Sequence, residues 1–364
     1  MKKPPICKEF SNFIIQRNFA FFNRLLKNIL TNFCFCIILE ESSRKAETGL
    51  KICFLDTGTL GDDLSLDSFS EFGEVVTYPS TAPSEVLARA QGADVLVVNK
   101  VKLNRTTLGE NPTVRLICLA ATGYDNVDTA FCREKGIGVC NVIGYSTDAV
   151  TQLTISMALS LITHLPEYDR YVKDGSYSAS GIANRLSPVY HEIAGKTWGI
   201  AGFGNIGRAV AKVADALGCR VLVYKRTPVS DYPCVSFETL CKESDILSLH
   251  LPLNEGTRNL LDQKHIDLLK PNAIVINVAR GAVADEAALA KTLKERKIGG
   301  LGIDVYSTEP FPKEHPYTGI LDLPNLCLTP HMAWGGYETR VRLLEEIKEN
   351  IRSFLRGESR SRVD

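Results

Sequence analysis

"TWGIAGFGNIGRAVAKVADALGCRVLVY", Thr197 to Tyr224, decides the fold. It opens on a short apolar run, turns at glycines 202, 204 and 207, and continues with Ile206, Val210, Val213 and Leu217 at helical spacing. "CRVLVY" then returns to a continuous apolar run. Short buried runs of this kind read as parallel strands, and the 3.6-residue recurrence reads as a helix with one buried face. Strand, glycine turn, helix and strand within about 30 residues make a βαβ unit. A bare GxGxxG is weak evidence of a ligand; between a strand and a helix it is strong. Gly202 makes the tight turn, Gly204 lets the backbone approach a pyrophosphate, and Gly207 lets helix and strand pack closely. The N–H groups of Asn205 and Ile206 at the helix start attract the phosphate charge. The stretch therefore predicts a dinucleotide site.

In such a unit the second strand usually ends in an acid that holds the ribose 2′-hydroxyl. Here Tyr224, Lys225 and Arg226 stand at that place, with Thr227 after them. Two cations suit a 2′-phosphate, because a guanidinium pairs bidentately with phosphate oxygens. They are equally compatible with solvated side chains at a strand end. NAD and NADP both stay open.

Working outward, the alternation continues towards the C-terminus. "DILSLHLP", "NAIVINVA", "IGGLGIDV" and "NLCLTP" read as strands; "FETLCKES", "KHIDLLKP" and "EAALAKTLKER" read as helices between them. "GYETRVRLLEEIKENIRSFLRG" reads as one amphipathic helix. Upstream, "KICFL", "ADVLVV", "VRLICLA" and "GIGVCNV" are strands, and "PSEVLARAQG" is a helix with Pro83 in its first turn and Gly92 beyond its end. A helical pattern from Asp148 to about Lys173 follows, then a Ser/Gly/Asn-rich loop up to Lys196. The fold class is α/β, with two Rossmann- or flavodoxin-like domains built on parallel sheets.

The 364 residues suit two domains. Charged side chains balance at 42 of each sign, and nothing at this level suggests a nucleic-acid surface. Eleven cysteines without paired CxxC spacing read as reduced thiols in a cytoplasmic protein, and no metal is expected. No apolar run approaches the roughly 20 residues that span a bilayer. Residues 1–48, rich in Phe and Lys, read as an appendage outside the fold.

Several polar groups stand at the ends of expected strands. Arg280 closes "IVINVARG", Asp304 and Glu309 follow "GLGI", and His331 follows "LCLTP". Ligands of an open parallel sheet sit at the carboxyl ends of its strands. Each residue alone has an ordinary explanation as a surface charge, a turn residue or a packed histidine. Together, on successive strand ends, they read as chemistry. His250 also ends a strand, nearer the expected adenine side. His164, His191, His265 and His315 read as ordinary helix or loop residues, and Trp334 either walls the pocket or packs.

With "ATGYDNVD", "NVIGYST", "GFGNIGRAVAK", "LPLNEGTRNLL", "NVARGAVADEAALAKTLK", "GGLGIDVYSTEP" and "LTPHMAW", the chain from about Lys51 to Asp364 resembles the D-isomer-specific 2-hydroxyacid dehydrogenase family. The resemblance implies that Arg280 binds the substrate carboxylate and keto oxygen, and that Glu309 pairs with His331, the acid/base. It implies that Asp304 contacts the nicotinamide carboxamide and that His250, Pro252, Thr257, Val278 and Ala279 line the cofactor. Backbone N–H groups of Asn99, Lys100 and Val101 hold the substrate carboxylate on this reading, and Gly123 leaves room on a second wall. It further implies a homodimer. Its domains are a substrate domain of 49–147 and 336–364 and a nucleotide domain of 148–335 inserted between. The substrate expected is a small 2-keto acid, hydroxypyruvate or glyoxylate first. A phosphoglycerate-oxidising enzyme and a non-catalytic dinucleotide sensor are the alternatives.

Overall fold

The computed structural model describes residues 49–110 and 112–364; the expected appendage, 1–48, lies outside them. The chain divides into two compact units. One holds the described residues up to Ile117 with Val127–Gly138, and the other holds Cys118–Asn126 with Val139–Asp364.

The strands are β1 (Leu50–Phe54), β2 (Gly73–Thr77), β3 (Val95–Val98), β4 (Leu116–Leu119), β5 (Gly138–Cys140), β6 (Thr197–Ala201), β7 (Arg220–Tyr224), β8 (Ile246–Leu249), β9 (Ile274–Asn277), β10 (Gly300–Ile303) and β11 (Leu326–Leu328). They form a five-stranded sheet of order β2-β1-β3-β4-β5 and a six-stranded sheet of order β11-β10-β9-β8-β6-β7. The first is the flavodoxin-like order. In the second, strand order reverses between β6 and β8, the place where such sheets open a ligand crevice. Pairing is parallel throughout the second sheet: Ala201 aligns with Leu249, Leu249 with Asn277, and Asn277 with Ile303. β3, β4, β6, β8, β9 and β10 are buried at every position, as continuous apolar runs require.

Two elements differ from the sequence expectation. β2, at the sheet edge, has only half-buried and exposed positions, so its "GEVVT" lacks a core strand's apolar signal. The long helix is two helices, Thr147–Thr163 and Leu165–Lys173, bent by 63°. His164 between them is left-handed, at φ 52°. Pro166 is the physical reason: it has no N–H to continue the ladder, and its ring meets the carbonyl four residues back. Val150, Met157 and Leu161 bury the first helix against the second sheet. No single described helix is long and apolar enough to cross a membrane.

Candidate active site

The three glycines of the turn do three different jobs. Gly202 sits at φ +93°, and a Cβ there would lie 2.5 Å from the His250 carbonyl oxygen. A Cβ on Gly207 would lie 2.1 Å from the Gly202 oxygen, so helix and turn touch backbone to backbone. A Cβ on Gly204 would meet nothing within 4 Å: the space before the helix Asn205–Ala216 is open. No side chain caps that helix start. Open space and uncapped N–H groups at the switch point fit a dinucleotide's pyrophosphate. Beyond β7, Lys225 is half-buried and Arg226 exposed, and neither is ion-paired among the described residues. Tyr224 instead packs its ring on Phe237, 5.2 Å between centroids.

The expected cofactor-lining residues fall on the same sheet edge. Val278 and Ala279 follow β9 and are each 9% exposed. Thr257 closes the loop after β8 by donating its hydroxyl to the Pro252 carbonyl oxygen at 2.6 Å. His250 is more constrained than a lining residue needs to be. Its Nε2 faces the Ser248 hydroxyl at 3.0 Å, and the Trp198 indole N–H donates to the same hydroxyl at 3.0 Å. Its Nδ1 is buried with no hydrogen-bond partner. Burial pushes the imidazole down to about 3.

The polar groups read as chemistry gather at the ends of β9, β10 and β11. Arg280 leaves β9 through a turn that Asn277 holds, its amide donating to the Arg280 carbonyl at 3.0 Å and its oxygen accepting from Ala279 N–H at 3.1 Å. The guanidinium lies 3.8 Å from the Asp125 carboxylate. A Cβ on Gly123 would fall 1.9 Å from Arg280 Nη2, so Gly123 serves the arginine by making room for it. His331 Nδ1 lies 2.6 Å from Glu309 Oε2, and Glu309 Oε1 accepts the Tyr306 N–H at 3.1 Å. A carboxylate on Nδ1 fixes the orientation of the ring.

His331 takes φ 53°, unusual for a residue with a Cβ. Asp304, fully buried, over-determines that turn. Its carboxylate accepts from the Thr329 hydroxyl at 2.6 Å, Met332 N–H at 2.8 Å and Ala333 N–H at 3.0 Å. Burial raises the Asp304 carboxyl, and these bonds oppose the rise. The Asp304 carboxylate thus grips the loop that carries His331. Trp334 packs edge-on against Tyr145, 6.4 Å between centroids, and donates its indole N–H to the His331 carbonyl at 3.1 Å.

In the first unit, the N–H groups of Asn99, Lys100 and Val101 do converge on a carboxylate, but it belongs to Asp56. They donate to it at 2.9, 2.6 and 3.1 Å. The Asn99 amide donates to the Thr59 hydroxyl at 3.0 Å, and the Lys100 side chain is exposed. The sequence carried a signal for this: Asp56 follows a strand end, two strands of the sheet away in sequence but one in space.

Residues 155–333 match the family model for the D-isomer specific 2-hydroxyacid dehydrogenase NAD binding domain. Glycerate dehydrogenase of Methylorubrum extorquens is 36% identical over 86% of this chain and 99% of its own length. Glyoxylate reductase of Thermococcus litoralis is 37% identical over 80% of this chain and 90% of its own. Among solved structures, an acyclic imino acid reductase in complex with NADPH and D-Arg superposes with a TM-score of 0.77 at 28% identity, over 86% of this chain and 100% of that one. With that sheet order, that glycine turn and these matches, the chain belongs to the D-isomer specific 2-hydroxyacid dehydrogenase family, as an enzyme that uses NAD or NADP.

Proposed function

We propose that this enzyme reduces a small, unphosphorylated 2-keto acid, hydroxypyruvate or glyoxylate, to the D-2-hydroxy acid. The short His331–Glu309 contact on the strand ends beside Arg280 carries the reading. The nicotinamide, when bound, supplies the hydride. Arg280 presents a rigid cationic fork to the substrate carboxylate and keto oxygen, and holds positive charge where the oxygen becomes negative. His331 gives that oxygen its proton through Nε2, while Glu309 stabilises the charged ring through Nδ1. A panel of 2-keto acids with NADH and NADPH, read at the cofactor absorbance, tests this. Turnover on hydroxypyruvate or glyoxylate supports it. No turnover on any acid with tight cofactor binding would favour a dinucleotide sensor, and preference for the phosphorylated acid would favour the phosphoglycerate reading.

The finer features belong to the same reading. Lys225 and Arg226, without ion pairs among the described residues, support NADPH over NADH. A homodimer is supported by apolar side chains gathered on one segment: Leu165 is 62% exposed, Ile182 64%, Leu186 78% and Val189 70%. The inserted nucleotide domain, 148–335, is supported by the return of the C-terminus to β5. There Asn141 N–H donates to the Ser361 carbonyl at 3.1 Å and Val363 N–H to the Val139 carbonyl at 2.9 Å. The free cysteines support a reducing, cytoplasmic location.

A further inference from the structure

One buried carboxylate takes no part in this chemistry. Glu286, in the first turn of the helix Glu286–Lys294, keeps a side-chain exposure of 9% against His315 at 4%. It accepts three hydrogen bonds: from Ser307 N–H at 2.9 Å, from the Ser307 hydroxyl, and from His315 Nε2–H at 3.1 Å. The histidine tautomer follows from its other side, where Nδ1 accepts the Tyr317 N–H at 3.3 Å. Nε2 therefore carries the proton and donates to Glu286. A charge taken out of water costs several kcal/mol unless bonded on every side, and here all three donors converge on one acceptor.

What those bonds hold is the Tyr306–Ser307 peptide, and that peptide is a junction. Tyr306 N–H donates to Glu309. The Tyr306 hydroxyl donates to the Thr329 carbonyl at 2.9 Å, and His331 N–H donates to the same oxygen at 3.0 Å. On its other side Gly281, next to Arg280, touches it so closely that a Cβ would lie 2.0 Å from Tyr306 C and 2.1 Å from Ser307 N. The Tyr306–Ser307 peptide thus abuts Gly281, the residue after Arg280, and it shares Tyr306 Cα with the preceding Val305–Tyr306 peptide, whose N–H Glu309 accepts.

We propose that Glu286 is a positioning residue: by pinning the Tyr306–Ser307 peptide it seats the Glu309 carboxylate on His331 and keeps that pair in register with Arg280. The proposal rests on the roles given above to Arg280, Glu309 and His331, and its test has a readout that needs no substrate.

Glu286→Gln keeps the volume but offers one carbonyl oxygen to three donors. In the wild type the Nδ1–H shared by His331 and Glu309 gives a far-downfield proton resonance, identified by its absence in His331→Gln. Glu286→Gln is expected to move this resonance upfield or abolish it, and to lower kcat by about 10- to 100-fold, as a misplacement of about 1 Å does. NADH affinity, read by fluorescence titration, stays as in the wild type. If Glu286→Gln does not fold, Ser307→Ala removes one donor, leaves the carboxylate in place, and is expected to move the resonance the same way by less. A folded variant with the wild-type resonance and wild-type kcat overturns the proposal. A wild type inactive on every keto acid would defeat the substrate reading instead, and the resonance would still decide this one.

Discussion

Glu309 and His331, separated by 22 residues, meet at 2.6 Å because β10 and β11 run parallel and release their chains at the same edge. The imidazole is held by its Nδ1 side, so its chemistry depends on a residue from another strand.

Replacing His331 by Gln removes the titrating group and leaves the glycine turn untouched. Turnover of a 2-keto acid should fall by about 10²- to 10⁴-fold, with NADH or NADPH affinity unchanged by fluorescence titration. Normal turnover would show that another group moves the proton.

Gly123→Ala puts a methyl group where Arg280 Nη2 lies. The guanidinium is the end of a flexible side chain and swings away, so thermal stability should change by less than about 1 kcal/mol. The KM for the keto acid should rise about tenfold or more, since the fork no longer meets the carboxylate. Steady-state kinetics beside a melting curve check both halves; a lost fold with unchanged KM would contradict the geometry.

Lys225→Ala with Arg226→Ala should cut kcat/KM with NADPH by about 10- to 100-fold, one or two charge-assisted contacts, and change it little with NADH. Equal losses with both cofactors would mean that the pair does not read the 2′-phosphate.

His250 gives a pH signature. Burial disfavours the charged form and pushes its imidazole down to about 3 in the folded chain, from the ordinary histidine value of about 6.5. Between those values the unfolded chain binds one more proton than the folded one, so stability drops as pH falls, by up to about 1.4 kcal/mol per unit. Above about pH 6.5 the effect is absent. Urea midpoints of wild type and His250→Asn from pH 7 to pH 4 should diverge with this slope; parallel curves would place the ring in water.

Much of this was legible before any coordinates, where buried apolar runs and glycine constraints leave few choices. β6, the glycine turn and β7 appear where Thr197–Tyr224 put them. The helix break at His164 was readable from Pro166, but the apolar periodicity runs through it and conceals it. β2 was not legible, because an edge strand that is half in water has no continuous apolar run.

By itself the sequence determined the two parallel α/β sheets and the dinucleotide turn, and it placed Arg280, Glu309 and His331 just beyond strand ends. Those depend on local patterns: hydrophobic period, glycine φ, and position at a strand end. Only the tertiary structure decided which carboxylate does what. Asp304 grips the histidine loop, Asp56 fills the 99–101 nest, and Glu286 with His315, which the sequence presents as an ordinary helix or loop histidine, pins the peptide beneath Glu309. A carboxylate's role is set by the donors around it, and here most of those donors are backbone N–H groups, which every residue but proline carries and no sequence pattern distinguishes.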